Sequence, residues 1–218
     1  MNDREMLDYL FFAIIFCGVF DMLLIIFSGW NARWFKLHAC VNSLIVGLTI
    51  DNVYMMIQNP QCGFDKKNTH IDGIFTVALH IYHCLFFKLK TIDYYHHGFS
   101  VFIPVLLVPN ITYRFNSLYY FTLSGLPGGL DYLALTMVKY DYMDKITEKK
   151  VSSLLNSYIR MPLGTIASFY TYTAAVNEKD PIIFSSLSIM CFLIYYNVSY
   201  FGKLAIENYG KNKRQLLN

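Results

Sequence analysis

The chain has 218 residues, of which 55% are hydrophobic, 17% aromatic and only 15% charged, with a mean hydropathy of +0.36. Soluble domains carry roughly 25% charged residues, so this balance excludes an ordinary water-soluble globule; repeated apolar runs near the roughly 20 residues that cross a bilayer indicate an integral membrane protein. A net charge of +3, with no basic run interleaved with aromatics, excludes a nucleic-acid surface.

In chain order, the N-terminal MNDREMLDYL is acidic where a secretory signal is basic, so the first apolar run, about 8–28, is expected to persist as an anchor. Further spans are expected at about 38–57, 71–92, 97–109, 117–139, 152–175 and 181–203. The sixth is the least apolar, which leaves six spans plus an interfacial helix as the alternative to seven. Trp30 and Trp34 sit at a span end, where aromatic anchors gather. The fourth span is interrupted by Pro104 and closed by Pro109. In the fifth, SGLPGGLDY places Pro127, Gly128 and Gly129 where they disrupt a regular helix, a break tolerated at membrane depth only inside protein or beside a cavity. Arg33 and Lys36, Lys88 and Lys90, Lys139 through Lys150, and the tail residues Lys211, Lys213 and Arg214 fall in alternate connections, which the positive-inside rule places in the cytosol. Lys66 and Lys67 oppose this assignment, whereas the Asn110-Ile111-Thr112 glycosylation sequon, in a connection expected to face outward, agrees with it. The five cysteines (17, 40, 62, 84 and 191) are scattered without CxxC spacing and read as packing residues. With no repeat or linker, residues 1–218 form one expected domain ending in a short cytosolic tail, 206–218.

The polar residues within this apolar background carry the chemistry, because ionisable groups at membrane depth are costly unless paired or functional. The most concentrated group is Asp93 with His96 and His97. If residues 72–97 form one helix, Asp72, His83, Lys90, Asp93 and His97 lie within an arc of roughly 80°, with His80 off its edge and His96 further round. A break near Lys90 and Thr91 would instead leave the histidine pair at the membrane interface. Imidazole can act as base, nucleophile or metal ligand, and Asp93 could orient one. Six histidines in all are too few for the histidine boxes of a membrane di-iron oxygenase, and His80 and His83 lack the acid–histidine motif of a zinc hydrolase. Acyl transfer needs one activated imidazole, an orienting acid and room for a lipid tail. Asp131, just after the Pro-Gly-Gly break, either reaches the same cavity or is held as a helix N-terminal acid.

The order of these features resembles the TLC (TRAM, Lag1 and CLN8) domain family over about residues 28–205. Trp30, Arg33, His38 and Ala39 in WNARWFKLHACVNSLIV match a Trp and Arg followed by His-Ala at a span start, and DYYHH matches an acid and a histidine pair at a later span end. The resemblance implies an all-α polytopic transmembrane bundle of six to seven spans around a lipid-sized cavity, usually in the endoplasmic reticulum. It also implies acyl-transfer chemistry at His96 and His97, as in ceramide synthases, with acyl-CoA as co-substrate and a lipid as acceptor. Ceramide synthases continue with a longer His-Asp signature, whereas GGLDYLALTMVK here has Asp131 alone, which marks a divergent member. The expected catalytic residues are therefore His96, His97 and Asp93, and the expected substrate-binding residues are His83, Lys90, Asp131, His38 and Arg33. No metal and no bound cofactor is expected, and the expected partners are membrane lipids. The alternatives are a non-catalytic lipid sensor or membrane-homeostasis factor, or a transporter or channel component.

Overall fold

The computed structural model describes residues 3–66, 70–103 and 113–217, and the side chains of Asp3, His96, Ser100, Leu216 and Leu217 fall outside that description. Lys67, Pro104, Pro109 and the sequon at 110–112 likewise lie outside the described residues. Within them the chain is helical apart from short connections and one antiparallel bridge, Lys66 to Tyr113. The helices are α1 (Asp3–Ser28), α2 (Arg33–Gln58), α3 (Ile71–Phe86), α4 (Thr91–His97), α5 (Phe115–Tyr120), α6 (Leu126–Lys139), α7 (Lys145–Leu155), α8 (Met161–Val176) and α9 (Pro181–Leu217). A 3-10 turn, Pro60–Phe64, follows α2. Single π-helical turns follow α4 (Gly98–Phe102), join α5 to α6 (Phe121–Gly125) and join α7 to α8 (Asn156–Arg160).

Three helices, α1, α2 and α9, are long and apolar enough to cross a membrane. Their outward faces explain why. On α1, Phe12, Ile26 and Phe27 are 65%, 70% and 82% exposed, an arrangement that water would penalise by about 25 cal/mol per Å² of apolar surface and that hydrocarbon does not. The remaining expected spans are built from shorter pieces. Residues 115–139 and 145–176 run helically through their π-turns, and the stretch expected as one helix over 71–92 stops at Phe86, where Phe87 turns extended at φ −130°, ψ 153°. At its far end α9 continues through Leu217, so the tail expected after residue 205 is helical in its described part.

Pro127, Gly128 and Gly129 do not break the fifth span. The irregular turn lies just before them, and α6 is regular from Leu126 onward. Pro127 stands at the start of that helix, where its missing N–H has no partner to lose. Gly128 lets α6 approach α2 closely, since a Cβ there would stand 3.0 Å from Asn42 Nδ2, whereas at Gly129 a Cβ would make ordinary contacts with Asn42 and the Ala39 carbonyl at 3.5 and 3.7 Å.

One end of the bundle gathers the first and fifth connections. Gly29, in the left-handed region at φ 73°, ends α1. Lys36, buried on α2, donates to Ser28 Oγ (2.7 Å) and to the Gly29 carbonyl (2.7 Å), closing the terminal carbonyls of α1. Tyr140 donates to the Ser28 carbonyl at 2.7 Å, and Asn31 to that of Lys139 at 2.8 Å. Asp144 caps α7, accepting from the Thr147 N–H and hydroxyl at 2.8 and 2.6 Å, which holds its carboxyl below the usual carboxylate range. At the opposite end, Arg114 donates to the Cys62 carbonyl and Asn52 Oδ1, and Ser117 links Asn52 to the buried Asp72.

The first three helices are pinned by a buried acid. Asp21 on α1 is fully buried and accepts from Arg33 Nε (2.9 and 2.8 Å), from Arg33 Nη2 and from the Tyr82 hydroxyl (2.8 Å). Removing one partner of such a pair strands the other charge. Asp21→Asn is expected to cost about 3 kcal/mol, read as a lower melting temperature of the purified protein, and an Asp21→Asn, Arg33→Gln double variant to recover most of it. The contact of α8 with α9 is set by size, because a Cβ on Gly164 would lie 2.3 Å from Val198 Cγ1. Gly164→Ala should therefore destabilise by about 1–3 kcal/mol, and Val198→Ala in the same chain should restore the melting temperature.

Candidate functional site

The break after α3 creates the site. Phe87–Lys90 leave the helix, and α4 starts at Thr91 with the Asp93 carboxylate accepting the Lys90 N–H at 2.7 Å. The chain then folds back along α3. His97 Nδ1 comes within 3.2 Å of Cys84 Sγ, and its ring lies 5.0 Å from that of His80 and 4.9 Å from that of His83. In one continuous helix His83 and His97 would share a face but stand about 21 Å apart along the axis. The sequence-based grouping of these two residues thus holds by a different route: contact through a fold-back, not alignment along a face.

A fourth imidazole comes from α2. His38 lies 6.1 Å from His80 and 5.9 Å from His83, ring to ring. Trp34, one turn earlier, stacks on His83 at 3.3 Å and meets the edge of His38 at 3.5 Å. Tyr132 on α6 closes the other side of His38 at 4.3 Å. All four histidines are 4–6% exposed. His80 is tied to its own helix through Nδ1 and the Thr76 carbonyl, 2.7 Å apart, and His83 Nδ1 has no hydrogen-bond partner among the described residues. Among the described residues, no set of three His, Cys, Asp or Glu side chains is arranged to hold a metal ion.

The other expected site residues divide. The backbone of His96 continues α4, and its side chain lies outside the description. Lys90 is exposed and joins the site only through its backbone. Asp93 is half-buried and engaged in starting α4. Arg33 is committed to Asp21, and its guanidinium lies 4.5 Å from the ring of Phe87, whose own ring is 5.7 Å from His83; it buttresses the site from behind. Asp131 makes no ring contact or hydrogen bond with the imidazoles among the described residues, and it lies within electrostatic reach of Arg160. The expected lipid-sized cavity is not lined by these residues: the imidazoles are packed ring on ring. An apolar groove of about 480 Å³ lies outside them, lined by Thr91, Tyr94, Tyr95, Gly98, Phe99, Phe102 and Ile103 on the outer side of α4.

Sequence reasoning missed His80, Cys84, Tyr132 and Trp34. The i, i+3 pair of His80 and His83 was visible, but its use depended on a break that helical periodicity does not encode. Trp34 reads as an interfacial anchor because it sits with Trp30 at a span end. Trp30, in the connection before α2, is 70% exposed, whereas Trp34, in the first turn of α2, packs on His83 and His38. No protein-family model, curated protein or solved structure matches the chain.

The fold-back has a direct test. In a chain whose other cysteines are replaced by alanine, His97→Cys should cross-link to Cys84 on mild oxidation, because bridged Cα atoms stand about 4.4–6.8 Å apart. A continuous helix would separate the two by about 20 Å and give no cross-link. The readout is a mass shift of the proteolytic peptides under non-reducing conditions.

Proposed function

We propose that the chain is a multi-pass membrane protein of six to seven spans, of TLC type and resident in the endoplasmic reticulum, that acts on lipids, with His97 as the base of an acyl transfer. The observation that carries this reading is the burial of His97 among His80, His83 and Cys84 beside an apolar groove on the same segment. An imidazole held away from bulk water can take the proton from an acceptor's hydroxyl or amine as that group attacks a thioester carbonyl. The acyl–oxygen or acyl–nitrogen bond forms, the carbon–sulfur bond breaks, and the proton leaves with the thiolate. Acyl-CoA would be the donor and a membrane lipid the acceptor. The groove behind Tyr94 and Phe99 would take the acyl chain, its apolar lining matching a hydrocarbon tail.

A second reading, a non-catalytic lipid sensor using the same groove, is favoured by one observation. The Asp93 carboxylate, the nearest candidate for orienting His97, is occupied in capping its own helix. The two readings part in lipid profiles of cells producing the chain or its His97→Ala form. A general base contributes about 10²–10⁴-fold to rate, so the lipid product should fall by at least that lower factor in the variant, with membrane levels of the protein unchanged. Identical profiles would remove the catalytic reading and leave the sensor.

A further inference from the structure

A second polar centre lies apart from the imidazoles, where α2, α6 and the π-turn before α8 meet. Asn42 on α2 is 2% exposed, and its Oδ1 accepts no hydrogen bond. Asp131 Oδ1 and Arg160 Nε, both buried atoms, likewise have no partner among the described residues. Arg160 reaches this place because the π-turn Asn156–Arg160 adds a residue to the helical repeat, and its Nη1 donates to Asn156 Oδ1 at 3.0 Å. Gly128 lets Asn42 and Arg160 come close to the backbone of α6. A Cβ there would stand 3.0 Å from Asn42 Nδ2 and 3.7 Å from Arg160 Nη2, and Asp131, three residues on, shares its helix face.

The unfilled positions define what would fit. Two oxygens, on Asn42 and Asp131, want donors, and one nitrogen, on Arg160, wants an acceptor. Leaving buried polar atoms unpaired is costly, and such groups mark sites that a ligand or water completes. Asp131 and Arg160 balance each other in charge, so a charged ligand would add an uncompensated charge to a buried site. A primary amide, with two N–H donors and one carbonyl acceptor, matches all three positions; a hydroxyl matches two. The opposite side of α6, through Leu130 and Leu133, 40% and 48% exposed, faces hydrocarbon, so the molecules at hand are lipids.

We propose that Asn42, Gly128, Asp131 and Arg160 form a binding site for the uncharged amide or hydroxyl headgroup of a single-chain lipid. The site goes beyond the acyl-transfer reading and does not depend on it, since none of its four residues belongs to the imidazole cluster.

The test uses the full chain in lipid nanodiscs and four photoreactive alkyl probes that share one diazirine-bearing chain and end in a primary amide, an alcohol, a sulfonate or a methyl group. Labelled peptides are read by mass spectrometry. The amide probe should label peptides carrying Asn42 or Gly128 at least tenfold more than the sulfonate or methyl probe, the alcohol should fall between, and excess unlabelled fatty amide should compete. Gly128→Ala, which fills the centre, and Asn42→Leu, which removes an acceptor at similar volume, should each reduce amide labelling about tenfold. His97→Ala should leave it unchanged, which separates this site from the proposed chemistry. Equal labelling by all four probes in the unaltered chain would mean that the centre holds water only and would overturn the proposal, whether or not the variants fold; so would labelling of folded Gly128→Ala and Asn42→Leu at the unaltered level.

Discussion

A carboxylate cannot be buried in an apolar helix bundle without compensation, and Asp21 is fully buried on α1. Its two partners, Arg33 from α2 and Tyr82 from α3, come from different helices, so satisfying one acid fixes three helices against one another. The consequence extends further than the pair. With its edge spent on Asp21, the Arg33 guanidinium presents its face to Phe87, the first residue past α3. A cation over an aromatic face is favourable, and Phe87 in this position is extended rather than helical. The place where α3 stops, and from which α4 folds back, is thus tied to an acid sixty-six residues earlier in the chain.

From that stop the imidazole cluster follows. His97 returns to α3 because the chain reverses there, and Trp34 fills the space between α2 and α3 so that His38 and His83 face each other across its ring. Burial of this many nitrogens in one place is not a stabilising choice by itself, as each needs a partner that apolar side chains would not require. The cluster and the place where Asn42, Asp131 and Arg160 gather both keep polar capacity beyond what packing uses. Both stand beside an irregular backbone element: the Phe87–Lys90 break in one case and the Asn156–Arg160 π-turn in the other. Irregular backbone within a helical bundle redirects side chains that a regular repeat would send to lipid.

Small residues do complementary work. Gly164 against Val198 and Gly128 against Asn42 bring helices to distances that a larger side chain would force apart. In an apolar surround, where hydrocarbon is as good a neighbour as another leucine, such close packing is a main source of helix association. The glycines beside Pro127 read in sequence as a helix break, because composition alone does not tell a flexible glycine from a close-packed one.

The sequence by itself determined the helical class and the apolar character of the long segments, because these follow from composition that each stretch carries within itself; several helix ends, at Asp3, Arg33, Phe86, Lys145 and Leu217, lie five or more residues from the apolar runs that announced them. It also marked His97 and His83 as belonging together. What it could not decide was how they meet. The stop at Phe87 depends on Arg33 and Asp21, the inward course of Trp34 depends on α3 lying opposite, and the use of Gly128 depends on Asn42 approaching from another helix. Each is a contact between residues distant in the chain, and such contacts leave no period in the local sequence. Only the packed structure decides that Arg33 serves an ion pair, that Arg160 comes close to Gly128, and that His80, His83 and His97 close on one point.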